Sequence, residues 1–84
     1  MTKGIVRLIN PRVGFIAIET DGNDFTIVEV TSDDEFEIGD VVQWEQALGL
    51  GFDTYYNLTQ RKKVDLIAQN HAVRPDALRE LMIF

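Results

Sequence analysis

The 84-residue sequence predicts a small all-β domain, either an antiparallel barrel or a sandwich. Five short segments rich in β-branched and aromatic residues follow one another up to residue 59. Residues that favour turns separate these segments, which is typical of small antiparallel folds. A chain of this length has room for one domain.

The first three predicted strands cover residues 5–9, 14–19 and 25–30. Asn10-Pro11 ends the first, and Asp21-Gly22-Asn23 forms a hairpin turn after the second because Gly and Asn tolerate positive φ. Alternation on the second strand points Ile16 and Ile18 into the core. The outward positions on the second and third strands are then Phe15, Ala17, Thr26 and Val28, with Phe25 and Ile27 in the core.

The remaining strands are predicted at residues 41–45 and 54–59, with an exposed acidic loop at 32–35 and a glycine-containing loop at 48–51. Residues 64–69 are a candidate sixth strand. A short helix is predicted over 75–82 because Pro75 suits a first helical turn and good helix formers follow it. Leu78, Leu81 and Met82 fall on one face of this helix.

The aromatic residues near the end of the sheet have different expected roles. Trp44 shares the parity of Val42, so we expect it in the core. Tyr55 and Tyr56 are adjacent in a strand, so one faces inward and the other outward. The outward tyrosine is a binding candidate.

Charge is unevenly distributed along the chain, whose net charge is −6. Residues 1–60 contain three basic and eleven acidic residues, whereas residues 61–84 contain five basic and three acidic residues. An acidic body repels phosphate at long range. The three basic residues of that body nevertheless lie close together in sequence, beside Phe15, which keeps a polyanionic ligand plausible.

The composition also limits the cellular compartment and the kinds of catalytic or metal site that we expect. The sequence has no cysteine, no signal-peptide pattern and no apolar run long enough to span a bilayer, so we expect a cytoplasmic protein without disulfides or a membrane partner. His71 is the only histidine, so no metal site is expected. No nucleophile–base pair, carboxylate pair or phosphate loop is recognisable, so we expect neither an enzyme nor a cofactor.

A set of short stretches in residues 3–60 carries a family resemblance. It comprises Gly4 to Pro11, the Gly14-Phe15 step, the Asp21-Gly22 turn, and residues 24–28, 37–42 and 57–59. In order and spacing these resemble the cold-shock domain family. The resemblance implies a five-stranded antiparallel OB-like barrel of cold-shock type that binds single-stranded RNA or DNA. Residues 1–60 would form the barrel, and residues 61–84 would extend the same domain by a strand and a short helix.

The chain departs from the family at its nucleic-acid-binding motifs. Where the family has Lys-Gly-Phe-Gly-Phe-Ile, this sequence has Val13 for the lysine and Ala17 for the second surface phenylalanine. Thr26 and Val28 replace a stacking Phe and His, and Leu8 replaces a tryptophan. Stacking contributes about 1–3 kcal/mol per base in such proteins, so these losses predict weak binding.

The resemblance assigns the candidate site as follows. Lys3, Arg7 and Arg12 would contact phosphates, Phe15 would stack a base, and Leu8, Thr26 and Val28 would line a reduced platform. Two alternatives stay open: the C-terminal extension covers Phe15, and the arginines pair with acidic side chains.

Two functions from different classes therefore remain. The first is weak, sequence-tolerant binding of single-stranded nucleic acid, and the second is a protein-interaction or self-associating module that has lost this binding. The run Arg61-Lys62-Lys63 is either a solvated turn or a basic edge that supplies the positive charge lacking in the barrel.

Overall fold

The computed structural model describes residues 2–30, 36–45 and 51–82. The predicted acidic loop at 32–35 and residues 48–50 of the glycine loop lie outside these ranges. The described elements are β1 (Thr2–Asn10), β2 (Phe15–Thr20), β3 (Phe25–Val30), β4 (Val41–Trp44), β5 (Gly51–Asn57), β6 (Lys62–Val73) and the helix α1 (Pro75–Met82). In this part of the chain no helix is long and apolar enough to cross a membrane.

The six strands close into an antiparallel barrel in the order β1-β2-β3-β6-β5-β4. The predicted all-β barrel is thus confirmed, but the count of five barrel strands is wrong. β6 is twelve residues long, pairs with β3 on one side and with β5 on the other, and extends well beyond the predicted range 64–69. Its length lets it bridge two strands that would otherwise stand apart.

Two turns bring the first three strands into register. Gly14 adopts φ +73° and its N–H donates to the carbonyl of Asn10, so the chain reverses directly into β2. The predicted turn at 21–23 is present, with Asn23 at φ +63°. The side chains of Thr20 and Asp24 are hydrogen-bonded across its base.

The barrel interior is filled by apolar side chains from all six strands. Ile16 and Ile18 lie in this core as predicted, as do Val6, Val28, Val42, Val64 and Leu66. Trp44 is fully buried, which confirms its predicted core position, and it packs against Tyr55 with ring centroids 5.1 Å apart. Tyr55 faces inward and Tyr56 outward.

A second apolar cluster lies outside the barrel, between the sheet and α1. Phe25, Ile27 and Ala17 form its floor, and Leu78 and Met82 of the helix cover them. Phe25 and Ile27 are therefore buried as predicted, but beneath the helix instead of inside the barrel. The helix has the predicted bounds and buries the predicted face.

The predicted outward orientation of Thr26 and Val28 is wrong. Val28 is paired with Ile16 and Thr26 with Ile18, and side chains of paired residues share one face of the sheet. Both residues are consequently buried. Thr26 compensates for its burial by a hydrogen bond between its hydroxyl and Nδ1 of His71, at 3.2 Å. The expectation failed because both faces of β3 are apolar, so its parity could not be assigned from alternation alone.

The C-terminal end of α1 is attached to the end of β1. Nδ2 of Asn10 donates to the carbonyl oxygen of Met82 at 2.6 Å. This bond satisfies one of the last helical carbonyls, which have no partner within the helix. Together with the apolar cluster, it keeps α1 on the outer face of β2 and β3.

We predict that Leu78→Ala lowers the free energy of unfolding by about 2–3 kcal/mol, because it removes a buried anchor of the helix. Leu78 is 6% exposed, whereas Leu58 is 42% exposed, so Leu58→Ala is the matched control and should cost less than about 0.5 kcal/mol. Urea denaturation followed by the fluorescence of the single tryptophan, Trp44, measures both. Equal losses in the two variants would show that α1 does not stabilise the barrel.

Candidate functional site

The structure separates the seven predicted site residues into three environments. Thr26 and Val28 are buried, and Phe15 is half-buried at the edge of the cluster beneath α1. The other four, Lys3, Arg7, Leu8 and Arg12, are exposed along β1 and the turn after it. The reduced platform expected from Leu8, Thr26 and Val28 is therefore not formed, because two of its three residues are buried.

The helix α1 occupies the place that the family resemblance assigns to bases. Phe15 and Ala17 do point to the outer face of β2, as predicted, but Ala17 is completely buried and Phe15 packs against the helical cluster. Of the two interpretations left open for Phe15, cover by the C-terminal extension is the one observed.

The cations of β1 lie beside carboxylates. Nε of Arg7 contacts Oε1 of Glu19 at 2.9 Å. Lys3 and Arg7 line one hollow of about 610 Å³ together with Glu19 and Asp21. Arg12 lies in the exposed turn after β1, where its N–H donates to the side chain of Asn10. Because Arg7 is paired with Glu19, it offers little attraction to a polyanion.

A different face of the barrel brings an exposed aromatic between cations. Lys3 of β1 is paired with Gln43 of β4, Gln43 with Tyr56 of β5, and Tyr56 with Lys63 of β6. We call these four residues the basic row. Since adjacent strands lie about 4.8 Å apart, the row crosses roughly 14 Å of sheet.

The row faces solvent. Tyr56 is 40% exposed, and Lys3 and Lys63 are exposed on either side of it. Within the residues that the structure describes, no salt bridge joins either lysine to a carboxylate. The neighbouring outward pair, Thr54 and Asp65, marks the acidic border of the row, and there the threonine hydroxyl donates to the aspartate at 2.8 Å.

The row ends in a concave corner at the turn between β5 and β6. This corner pocket has a volume of about 330 Å³ and is lined by Tyr56, Asn57, Leu58, Arg61, Lys62 and Lys63. Arg61 and Lys63 are exposed, whereas the ammonium of Lys62 lies 5.8 Å from the centre of the Phe36 ring. The basic run predicted as either a solvated turn or a basic edge thus adjoins an exposed tyrosine.

A buried carboxylate holds this corner in shape. Oδ2 of Asp40 accepts hydrogen bonds from Nδ2 of Asn57 at 2.8 Å, from Nε2 of Gln60 at 2.6 Å and from the N–H of Glu37 at 3.0 Å. Oδ1 of Asn57 in turn accepts from the N–H of Gln60 at 3.0 Å. These bonds fix the backbone immediately before Arg61, which itself adopts φ +56°.

The environment of Asp40 favours its charged form. Burial on its own acts to raise the pKa of Asp40, but the hydrogen bonds from Asn57, Glu37 and Gln60 and the charge of Lys62 outweigh it. The pKa therefore lies below its ordinary value of 3.8. Burial, with Asp53 nearby, raises the pKa of Tyr55, so this hydroxyl stays neutral inside the barrel.

A second exposed concavity lies where α1 meets the end of β1. This helix groove has a volume of about 530 Å³ and is mainly apolar, with Leu8, Ile9, Pro11, Pro75, Leu78 and Met82 among its lining residues. Leu8 is 44% exposed, and Arg79 contributes a cation to the lining. Leu8 therefore belongs to a helix-flanked groove and not to a flat platform.

The described residues contain no group of three or more His, Cys, Asp or Glu that could hold a metal ion. Comparison of the chain with protein-family models, with curated proteins and with solved structures finds no match. The geometry of the barrel surface is therefore the basis for any functional conclusion.

The sequence shows the parts of the basic row but not their alignment. Alternation predicts one outward tyrosine, and the run at 61–63 is a candidate basic edge. The sequence pattern groups Lys3 with Phe15 instead. The missing signal was the pairing of β1 with β4 and of β5 with β6, which aligns Lys3, Tyr56 and Lys63 although they are far apart in sequence.

We predict that Asp40 makes folding stability fall at acidic pH. Because its folded pKa lies below 3.8, its contribution is fully present above that unfolded value and is lost as pH falls through the folded pKa. Asp40→Asn should cost about 2 kcal/mol at neutral pH, since it removes a charged acceptor. The difference from wild type should shrink below about pH 4, as measured by thermal unfolding across pH. A difference that is constant down to pH 2 would contradict this role.

Proposed function

We propose that this chain is a weak, sequence-tolerant binding protein for single-stranded RNA or DNA, built on an OB-like barrel of the cold-shock type. The bound strand crosses the basic row. The observation that carries the proposal is the cross-strand alignment of Lys3, Tyr56 and Lys63 on one exposed face. The resemblance of residues 3–60 to cold-shock domains supports the same class of ligand.

The chemistry of the row suits a single strand. A tyrosine ring offers a face on which any base can stack, so such a contact tolerates different sequences. Lysines on either side can neutralise the phosphates that flank the stacked base. This arrangement moves the binding face away from Phe15, which the helix covers, to the strands β1, β4, β5 and β6.

The proposed affinity is low for two reasons. One exposed tyrosine supplies about 1–3 kcal/mol of stacking, whereas a full cold-shock surface has several platforms. The net charge of −6 opposes the approach of a polyanion to the rest of the surface. A dissociation constant on the order of 100 µM at low salt corresponds to about −5.5 kcal/mol, which one base and a few phosphates can supply.

We predict that labelled oligo-dT and oligo-U bind with similar affinity, and that binding weakens with salt. Four cations, Lys3, Arg61, Lys62 and Lys63, set a log–log salt slope no steeper than about −3, since each single-strand phosphate contributes about −0.7. Tyr56→Ala should weaken binding by about 1–3 kcal/mol, and Tyr56→Phe should restore it. Fluorescence anisotropy at two salt concentrations measures these effects.

Matched variants separate the row from general electrostatics. Lys3→Gln and Lys63→Gln should each make the salt slope shallower by about 0.7, whereas Arg79→Gln, on α1, should leave it unchanged. If all three variants changed the salt slope equally, the nucleic acid would be attracted by the overall charge of the protein and not bound at a defined site. No binding at low salt with protein at a few hundred micromolar would overturn the proposal.

The helix groove favours a second candidate function, which is self-association of the chain. Exposed Leu8 and the partly apolar floor beneath it form a concave patch on a small protein, and such patches often mark interfaces. This function does not require the basic row.

We predict for this second candidate that the weight-average mass in sedimentation experiments rises with protein concentration. Leu8→Asp should abolish the rise, because it places a carboxylate in the apolar contact. Tyr56→Asp, on the basic row, is the control and should leave the mass unchanged. If the protein stays monomeric at all concentrations up to about 1 mM, its free energy of association is weaker than about −4 kcal/mol. That result would exclude a functional dimer.

A further inference from the structure

The corner pocket differs from the rest of the basic row in shape and in charge density. The row is an open strip of sheet, whereas the pocket is concave and gathers three consecutive cations, Arg61, Lys62 and Lys63, around one tyrosine. We infer that this pocket binds the terminal nucleotide of a single strand through its phosphate monoester. This inference rests on the proposed function and specifies which part of the strand the corner takes.

In the described part of the chain, the corner is the end of the row. Beyond Lys63 the next strand of the barrel is β3, and its described pairing with β6 begins at Leu66. Among the described residues, a single strand that lies across Lys3 and Tyr56 therefore makes its last contacts at Arg61 and Lys63. An end of the nucleic acid fits this position.

The charge of the corner matches a monoester better than a diester. A phosphate monoester carries about −1.5 to −2 charges at pH 7 and three acceptor oxygens, whereas each internal phosphate carries one negative charge. The guanidinium of Arg61 presents a planar set of donors that suits phosphate oxygens. Of the described carboxylates, Asp40 accepts hydrogen bonds from Asn57 and Gln60, and Asp65 accepts one from Thr54.

The turn that carries these cations is held in shape by Asp40. Its hydrogen bonds fix residues 57 and 60, and the ammonium of Lys62 lies over the Phe36 ring. A preorganised turn loses less entropy when its ligand binds.

The volume and the lining set the size of the ligand. About 330 Å³ is at the lower end of the range for small-molecule sites, which is enough for one nucleotide and not for an oligomer. Tyr56 belongs both to the row and to the pocket wall. The base attached to the terminal phosphate therefore stacks on Tyr56 while the phosphate lies between Arg61 and Lys63.

The test compares oligo-dT of about four nucleotides with and without a terminal phosphate, placed at the 5′ end in one probe and at the 3′ end in another. We expect one phosphorylated probe to bind about tenfold more tightly than the hydroxyl probe, an increment of about 1.4 kcal/mol. Thymidine monophosphate should compete for this probe better than inorganic phosphate, because it adds the stacked base.

Arg61→Gly provides a variant that removes the charge without straining the fold. Arg61 has φ +56°, a conformation that glycine adopts readily, so the substitution should preserve or raise stability. It should abolish the preference for the phosphorylated probe, and it should also weaken the binding of the hydroxyl probe to a smaller extent, because one cation of the proposed binding face is lost. Arg79→Gln is the matched control and should retain the full preference.

The outcomes distinguish this inference from the proposed function. Equal affinity of phosphorylated and hydroxyl probes, with Tyr56→Ala still weakening both, overturns the terminal-phosphate pocket and leaves single-strand binding in place. Inorganic phosphate competing as well as thymidine monophosphate overturns the nucleotide part of the inference. Binding of none of the oligonucleotides overturns both.

Discussion

The pairing of β6 with both β3 and β5 is the constraint on which the rest of this structure depends. Without β6 the sheet would be open between those two strands, with unpaired backbone groups on both edges. Its twelve residues close the barrel and thereby enclose Trp44, Tyr55 and the other apolar side chains of the interior. Closure also determines where the two ends of β6 lie.

Each end of β6 establishes one of the surface features of the protein. At its start, Lys63 comes opposite Tyr56, and the preceding turn presents Arg61 beside the same ring. At its end, Val73 comes opposite Phe25, so the chain leaves the sheet beside the outer face of β3 and enters α1 there. The same strand therefore places Lys63 beside the exposed Tyr56 and leads into the helix that covers Ala17, Phe25 and Ile27.

The helix changes the physical role of the face beneath it. Ala17, Phe25 and Ile27 are outside the barrel, and in a barrel without a helix they would be an apolar surface in water. Burial of apolar area stabilises the fold by about 25 cal/mol per Å², so covering this face is favourable in itself. The small side chain of Ala17 on this face allows α1 to approach the sheet closely.

The distribution of charge distinguishes the face that carries the basic row from the rest of the surface. Most of the carboxylates belong to residues 1–60. Lys3, Arg61 and Lys63 are nevertheless all exposed to solvent. A small cationic region on an acidic protein attracts phosphate over a short range only, because charges are screened within about 8–10 Å at physiological salt. Any contact with phosphate at these cations is therefore expected to be local and readily reversible.

Local sequence determined the elements of this protein with good accuracy. Turn residues such as Asn10-Pro11 and Asp21-Gly22-Asn23 separate the strands, and the helix begins at Pro75 and ends at Met82 as its pattern predicts. The burial of Trp44 and the opposite orientations of Tyr55 and Tyr56 also followed from alternation. These properties depend on neighbours within a few residues, so the sequence contains them directly.

Tertiary structure alone decided which faces are covered and which residues meet. β2 and β3 are apolar on both faces, so alternation could not show that Val28 enters the barrel while Ile27 lies beneath a helix. Nor could it align Lys3 with Tyr56 and Lys63, because their proximity depends on strand register between segments far apart in the chain. Register follows from the simultaneous fit of all side chains in the closed barrel, and that fit is a property of the whole fold.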